Sequence, residues 1–475
     1  MTWQRDLAWQ NIEQTYRSSV AHQFARYALS LDYKVLPPDV VHQAKRSLVD
    51  TLGCAIGAYE APGRPICEAV VRGLGGSEEA TVIGSGLHTS APNATLVNSF
   101  LVRYLDFNDL GGVGGAGHNS DSISAILAVA ERDKANGRDY LTSVVISYEL
   151  GARFAESTGV GSTGVRIHSG FTGESRGGLT MPPALGKLMG LNEEQIANAI
   201  GVCACHELPL AVLDTDREEN TMSKNLRLGW ISYNAVLACL LAKNGFTGPV
   251  RVVEGENGIN QALFRGGLDF QRLLDFSGWR ILKVGFKALP ADGSSQGHLL
   301  ATLAIVKEHD LKPGDIAAVR ITTSVYESRH CTIPAKKYPR NAESADHSVF
   351  WTNAMVIRDR DLTPDSYKPE NYTDPVILDL IEKITVEADP NTPGLWWGRS
   401  EITTKDGRVF QKRVDTIHGL GGDPLTDTEV EEKFRKMAIK YMSERQMKQI
   451  IDTVWNLEKL DDMGKLMKLM VFQPR

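Results

Sequence analysis

Apolar residues recur at steps of three and four through most of the first 280 positions, the pattern of helices with one buried face. After Pro38 this stripe is formed by Val41, Ala44 and Leu48, with Asp39 as a candidate N-cap. The same spacing predicts helices over 91–107, 120–134, 140–156, 180–190, 193–206, 226–244 and 258–265. We expect no strand before about residue 280, which argues against a parallel βαβ sheet in this part of the chain.

Beyond Trp279 the pattern changes to short β-branched runs that alternate with helices. One run covers residues 316–325, and a shorter one surrounds Val386. Runs at 401–405 and 408–414 flank Asp406-Gly407, which predicts a hairpin closed by a two-residue type I′ turn.

Helices are expected within this second region as well, at 294–309 and 347–358, the latter with Asp346 and His347 as its N-cap pair. From about Asp427 the chain is again helical and charged, and Thr426 with Glu429 fits a capping box.

The predicted fold is therefore mostly α. A large helical domain is built from both chain ends, residues 1–279 and 413–475, and a smaller α+β lid domain, residues 280–412, is inserted between them. The sequence pattern changes near residue 280, but no low-complexity segment occurs there, so we expect no flexible linker between the two domains.

Composition and charge exclude several classes of function. The chain has 52 basic and 58 acidic residues, a net charge of −6, which argues against a general nucleic-acid binder. No apolar run reaches the roughly 18 residues of a membrane span, and the polar N-terminus does not resemble a signal peptide. Six cysteines without a C-x-x-C pair favour a reducing compartment, so a cytoplasmic protein is expected.

Candidate chemistry begins in the polar loop after the predicted helix 91–107. Residues 112–117 match G-x-G-x-x-G, but a dinucleotide site needs a strand before that loop, so we reject this interpretation. The loop carries Asp106 and His118, a pair suited to proton transfer because histidine titrates near neutrality. Two helix caps and a solvated histidine would explain the same residues structurally.

Two lysines are candidate anion ligands. Lys224 precedes an apolar helix, and Lys287 lies at the expected domain junction, where binding clefts tend to form. Ser294 stands near the next helix start, Tyr326 follows the first lid strand, and His168 lies in another glycine-rich loop. For each of them, a solvated surface residue or an ordinary cap is an alternative. P-loop and H-E-x-x-H motifs are missing from the sequence, and we identify no nucleophile elbow with a strand before it. The sequence therefore favours cofactor-free acid–base chemistry on a small anionic substrate.

Together these segments resemble the MmgE/PrpD family, which includes 2-methylcitrate dehydratase, cis-aconitate decarboxylase and iminodisuccinate epimerase. The resemblance covers about residues 25–470, and its order and spacing are more specific than any one motif. Its carriers are VDTLGC at 49–54, RYLDFND at 103–109, His118, Ser120-Asp121, Lys224, KALPA at 287–291, SADHS at 344–348, His418-Gly419 and DPLT at 423–426.

The resemblance implies a homodimer, no metal and no organic cofactor, with an active site between the two domains. It implies Asp106, His118, Lys224 and Lys287 as catalytic residues and Tyr326 as a substrate ligand. His168, Asp292 and Ser294 complete the expected substrate-binding set. Our hypothesis for the mechanism is that Asp106 and His118 supply the acid and the base, with the two roles not assigned between them, while the lysines hold substrate carboxylates and stabilise the enolate.

Some residues depart from the pattern of decarboxylase-like members. Leu110 stands in place of a threonine, Thr172 in place of the histidine of Gly-Phe-His, and Asp292 in place of a lid histidine, while the glycine loop is about two residues longer. We therefore expect a hydro-lyase that dehydrates a hydroxy-polycarboxylate such as 2-methylcitrate. An epimerase or isomerase, a decarboxylase and a non-catalytic polycarboxylate binder remain open.

Overall fold

The computed structural model describes residues 2–111, 118–158, 170–214, 217–392 and 396–472. The part before residue 280 is helical, as the apolar spacing predicts. Its helices are α1 (Thr2–Arg17), α2 (Val20–Ser30), α3 (Pro38–Gly57), α4 (Gly63–Leu74), α5 (Ala91–Tyr104), α6 (Ile123–Arg132), α7 (Gly137–Ser157), α8 (Gly177–Leu188), α9 (Glu193–His206), α10 (Ser223–Lys243), α11 (Ile259–Phe264) and α12 (Phe270–Leu273).

The second part alternates helices with strands and then returns to helix. Its helices are α13 (Gln296–Glu308), α14 (Val325–His330), α15 (Pro334–Lys337), α16 (Ala342–Ala345), α17 (Val349–Asp359), α18 (Pro375–Lys383), α19 (Asp427–Ala438), α20 (Glu444–Trp455) and α21 (Gly464–Leu469). The chain's strands are β1 (Ala80–Thr81), β2 (His88–Thr89), β3 (Ile316–Ser324), β4 (Ile384–Asp389), β5 (Gly398–Thr404) and β6 (Val409–Val414). The mostly α fold class is confirmed.

The lid sheet has the order β4-β3-β5-β6, with β3 parallel to β4 and antiparallel to β5. The hairpin between β5 and β6 is confirmed, but the prediction of a two-residue turn is wrong. Thr403 pairs with Val409, and Thr404 bonds the backbone of Arg408, so three residues form the loop. Of these only Gly407 has a positive φ, of 85°, which is the geometry of a type I turn closed by a glycine bulge.

Three further expectations are corrected. The antiparallel pair β1–β2 lies before residue 280, although each strand has only two residues. The N-cap of α17 is Ser348, whose hydroxyl accepts from the Trp351 amide, so Asp346 and His347 are free for another role. Asp39 lies inside the first turn of α3 rather than at its cap. The capping box of Thr426 and Glu429 is confirmed.

Two large apolar cores account for this architecture. The larger combines α2–α10 with Val430, Phe434 and the other apolar residues of α19–α21, so the chain's C-terminal helices complete a core begun near the N-terminus. The smaller extends from Leu289 to Ile402 and lies between α13, α17, α18 and the lid sheet. On this basis we propose the division into 1–279 with 413–475 and 280–412, whose bounds stay a prediction.

Backbone hydrogen bonds join three distant segments at the junction of these cores. Leu110 and Gly285 exchange N–H···O bonds of 2.8 and 3.0 Å, and the Phe286 amide donates to the Gly419 carbonyl at 2.8 Å. A side chain at Gly285 would overlap with the backbone of Gly419, so this close approach requires glycine. Lys287 comes two residues after Gly285 in the chain. The backbone bonds between Gly285 and Leu110 therefore hold Lys287 close to the loop that carries Asp106.

Within the described ranges, no helix combines the length and apolar character needed to cross a membrane.

The first turn of α13 lies directly against the start of β5, since a methyl group on Gly398 would overlap with the backbone of Gly297 and His298. Gly398→Ala should therefore lower the free energy of unfolding by about 1–3 kcal/mol or more, as overpacking does elsewhere. Chemical denaturation would measure this. Gly314→Ala is the matched control, because a methyl group there meets nothing within 4 Å. Equal stability of the two variants would contradict this packing.

Candidate active site

Asp106 lies two residues beyond the end of α5 and is buried, with 1% of its surface exposed. Its φ of 46° is in the left-handed region, which aspartate and asparagine adopt more readily than other non-glycine residues. The Asp106 amide donates to the Arg103 carbonyl at 3.1 Å, so a tight turn ends the helix and directs the carboxylate inward.

Three cations surround this carboxylate. Arg103 donates from Nη1 to Oδ1 at 2.7 Å, Lys287 bonds the same oxygen, and Nζ of Lys224 lies 3.3 Å from Oδ2. Burial alone would raise the pKa of Asp106, but these neighbouring charges lower it well below its ordinary value. The group therefore stays ionised near neutral pH and cannot serve as a proton donor there.

Both lysines are fully buried, with 0% exposure. Lys224, in the first turn of α10, donates to both carboxylate oxygens of Asp346 at 2.7 Å. Burial lowers the pKa of Lys224, but Asp346 and Asp106 outweigh it and raise the value. For Lys287 burial dominates and the pKa is lowered despite Asp106, so Lys287 gives up a proton more readily than an ordinary lysine.

His118 lies beside Asp106 and is more accessible than the two lysines, with 10% of its side chain exposed. Its Nδ1 bonds the Asp109 carbonyl oxygen, which identifies Nδ1 as the protonated nitrogen and leaves the lone pair on Nε2. Nε2 lies 4.0 Å from Oδ1 of Asp106, beyond hydrogen-bond distance. Burial, Arg103 and Lys287 lower the His118 pKa well below its ordinary value, so the imidazole is neutral at pH 7 and can accept a proton.

Side chains of the lid lie opposite. Nδ1 of His347 lies 2.6 Å from Oδ1 of Asp346 and 3.4 Å from Oδ2 of Asp106, while its Nε2 lies 3.4 Å from Oδ2 of Asp292. The ring of His330 stacks on Tyr326 and meets the His347 ring edge-on, each at a centroid distance of 5.3 Å.

The structure thus brings together Asp106, His118, Lys224 and Lys287, with Asp292 attached through His347 and Tyr326 through His330. Ser294 donates its hydroxyl and its amide to Asp292, so it orients that carboxylate. His168 and the glycine loop 112–117 lie outside the described residues.

Sequence reasoning missed several members of the site. Arg103 belongs to the RYLDFND motif but has no predicted role, although its spacing of three from Asp106 is typical of an ion pair. Asp346 and His347 were assigned to a helix cap because they precede α17. Asp214, whose Oδ1 lies 3.4 Å from Nε2 of His330, gave no signal in the sequence.

Models of two family domains match consecutive parts of the chain. Residues 22–271 match the model of the MmgE/PrpD N-terminal domain, and residues 289–457 match that of the MmgE/PrpD C-terminal domain. The chain belongs to the MmgE/PrpD family. The match to the N-terminal domain includes Asp106, His118 and Lys224, and the match to the C-terminal domain includes Asp292 and His347, so the candidate site draws residues from both matched parts.

Relatives within the MmgE/PrpD family act on small polycarboxylates. The chain is 25% identical to human cis-aconitate decarboxylase over 473 residues, which cover 95% of this chain and 94% of that protein. It is 26% identical to the mitochondrial 2-methylcitrate dehydratase of Yarrowia lipolytica, with 82% and 78% covered. The 2-methylcitrate dehydratase of Salmonella typhi is 24% identical, with 76% of each chain covered.

Asp109 generates a pH prediction. Burial raises its pKa to about 6, assisted by Asp50 and opposed by hydrogen bonds from Ser120. Because the folded protein keeps this proton after the unfolded chain has lost it, the free energy of unfolding should fall as pH rises from about 4 to 6. Asp109→Asn should remove this contribution, of the order of 1–3 kcal/mol.

Denaturation midpoints of wild type and Asp109→Asn between pH 4.5 and 7.5 would measure the difference. Asp39→Asn is the control, because Asp39 is exposed. If the curves of Asp109→Asn and wild type ran parallel across this range, a raised pKa for Asp109 would be refuted.

Proposed function

We propose that this protein is a hydro-lyase that dehydrates a hydroxy-polycarboxylate such as 2-methylcitrate by removing a proton α to a carboxylate. The observation that carries the proposal is the neutral His118. Its Nε2 has a free lone pair and lies near the buried cations Arg103 and Lys287. A base close to fixed positive charge suits α-proton abstraction, because that charge stabilises the enolate as it forms.

Local cations support an anionic substrate. Arg103, Lys224 and Lys287 bring three positive charges together at one carboxylate, Asp106. A substrate carboxylate placed beside these cations would gain charge-assisted hydrogen bonds.

The proposed steps are as follows. Nε2 of His118 takes the α-proton, the electrons of the broken C–H bond form the carbon–carbon double bond, and the C–O bond of the hydroxyl breaks. The hydroxyl leaves as water after it takes a proton from a cationic group, for which the lowered pKa of Lys287 makes it the best candidate.

In this scheme Asp106 is a positioning residue. Its lowered pKa suits an anion that holds Lys224, Lys287 and Arg103 in place, rather than the acid or base expected from its sequence motif. On the lid side, Tyr326 and Asp292 are proposed substrate ligands, with Ser294 orienting Asp292 and His168 completing the set. A cytoplasmic homodimer acting without an organic cofactor belongs to the same proposal.

Decarboxylation is the second candidate, because the match to human cis-aconitate decarboxylase spans 95% of the chain, more than the matches to the two dehydratases above. A panel of 2-methylcitrate, citrate and cis-aconitate would separate the reactions. Dehydration should raise the ultraviolet absorbance of the conjugated alkene without CO₂, whereas decarboxylation releases CO₂. A change of optical rotation without either signal would identify an epimerase. Thermal stabilisation by a ligand without turnover would identify a binding protein.

His118→Gln should lower kcat on the turned-over substrate at least 100-fold, because it removes the proposed base while keeping a polar side chain of similar size. Lys224→Ala should also abolish turnover. Circular dichroism and melting temperature would report on the fold. His42→Gln, a change at an exposed histidine paired with Asp427, is the control and should keep full activity. Near-normal kcat in both His118→Gln and Lys224→Ala would sink the site assignment.

A further inference from the structure

A buried lysine of the C-terminal helix α19 contacts the main chain of the candidate site. Lys433 is 8% exposed, and its Nζ donates to the Phe107 carbonyl at 2.7 Å and to the Lys287 carbonyl at 3.1 Å. The same nitrogen lies 2.6 Å from Oδ1 of Asp50 on α3. An ammonium group has three N–H donors, and these three oxygens match them in number. Nζ also lies 3.7 Å from the centroid of the Phe107 ring, a favourable cation–π distance.

The two carbonyls belong to segments that carry members of the candidate site. Phe107 follows Asp106, the carboxylate that contacts three cations, and Lys287 is one of those cations. The Lys287 ammonium donates to the Asp106 carbonyl at 2.7 Å. Consecutive carbonyls of this loop are therefore bonded by the ammonium groups of two different lysines. Lys433 joins the main chain on one side of the Asp106–Lys287 ion pair to the main chain on the other.

Close packing of α19 on α3 fixes the position of Lys433. A side chain at Gly53 of α3 would begin 3.0 Å from Cα of Phe434, the residue after Lys433, so the two helices approach closely. Phe434 is fully buried, and the side chain of Asp50 has no exposed surface. Because the nitrogen of Lys433 is held by two packed helices, the carbonyls that it bonds are held as well.

The backbone bonds between Leu110 and Gly285 join the same two segments, but at a greater distance along the chain from the reacting groups. Lys433 instead bonds the peptide unit that follows Asp106 directly and the carbonyl of Lys287 itself. This difference matters because reacting groups have to be placed to within about 0.5 Å, and a misplacement of about 1 Å can lower a rate 100-fold.

We propose that Lys433 is a positioning residue: by bonding two main-chain carbonyls, it sets the distance between the Lys287 ammonium and the Asp106 carboxylate. Its three N–H groups face protein oxygens, so it acts through Lys287 rather than on the substrate. The expected effect on turnover rests on the proposed function, in which Lys287 gives a proton to the departing hydroxyl. The expected effect on geometry does not depend on that reaction.

A purely structural role would also make Lys433 important, and its ion pair with Asp50 allows the two roles to be separated. Lys433→Met removes the bonds to both carbonyls and leaves Asp50 buried without this partner, which destabilises the fold. The double variant Asp50→Asn/Lys433→Met removes both charges of the pair, so the melting temperature should largely return. Both carbonyls still lack their ammonium donor in the double variant, so activity should not return.

kcat and KM would be measured on the substrate that the wild-type protein turns over, at a temperature where circular dichroism shows the variants to be folded. In Asp50→Asn/Lys433→Met, kcat should fall at least about 10-fold while KM changes less than about threefold, because Lys224 stays bound to Asp346 and keeps its place. Wild-type kcat in this variant, recovered together with its stability, would show a structural role alone and overturn the proposal.

Lys45→Met is the matched control. Lys45 lies on α3 and is also 8% exposed, and its Nζ donates to the Trp455 carbonyl at 2.8 Å and pairs with Glu458. It thus ties α3 to the C-terminal helices through a carbonyl and a carboxylate, as Lys433 does, but its partners are not members of the candidate site. Lys45→Met should lower the melting temperature and keep wild-type kcat. An equal loss of kcat in folded Lys45→Met would contradict a specific role for Lys433.

A crystal structure of Asp50→Asn/Lys433→Met tests the placement without any turnover. Nζ of Lys287 should move by about 0.5–1 Å relative to the Asp106 carbonyl, to which it now donates at 2.7 Å. An unchanged Asp106–Lys287 geometry in the double variant would overturn the proposal whatever the kinetics. If wild-type protein turned over no compound of the substrate panel, the proposed function would fail, and this crystal structure would still decide the role of Lys433.

Discussion

The burial of one carboxylate among three cations is the constraint on which the rest of the site depends. Asp106 is enclosed by Arg103, Lys224 and Lys287, and a charge in such surroundings is tolerable only when its partners are held in place. Those partners come from α5, α10 and the segment before α13, so the helical core and the lid must both be folded before the cluster is balanced. Removal of Asp106 would take away the carboxylate that contacts all three cations.

Much of the fold follows from local chemistry that is visible in the sequence. The three–four spacing located α5, α7, α9 and α10, and the Thr426 capping box marked the start of α19, because these signals act within a few residues. The short pair β1–β2 has only two residues per strand, too few to show an alternation. The turn at Gly407 was misjudged because Asp-Gly suits both a two-residue turn and a three-residue loop with a bulge, which differ only in register.

The site was less predictable, since its members are separated by up to 244 positions, from Arg103 to His347, and only the fold brings them together. Asp106, His118, Lys224 and Lys287 could be named from the family's motifs, but their protonation could not, because it depends on burial and on neighbours. The same carboxyl that suggests a general acid in a motif is locked as an anion in the structure. His347 was hidden by a simpler local explanation, a helix cap, that Ser348 in fact provides.

The backbone bonds that link Leu110, Gly285 and Gly419 have an evolutionary consequence. Because these bonds join main-chain groups, most side-chain replacements leave the spacing between the Asp106 loop and Lys287 unchanged. Glycine is needed where the backbones of Gly285 and Gly419 approach most closely. Relatives that share about a quarter of their residues with this chain could therefore keep one placement of the reacting groups. Side chains around that frame, Asp292 among them, do not take part in these backbone bonds, so their replacement would change the chemistry of the site without breaking the frame.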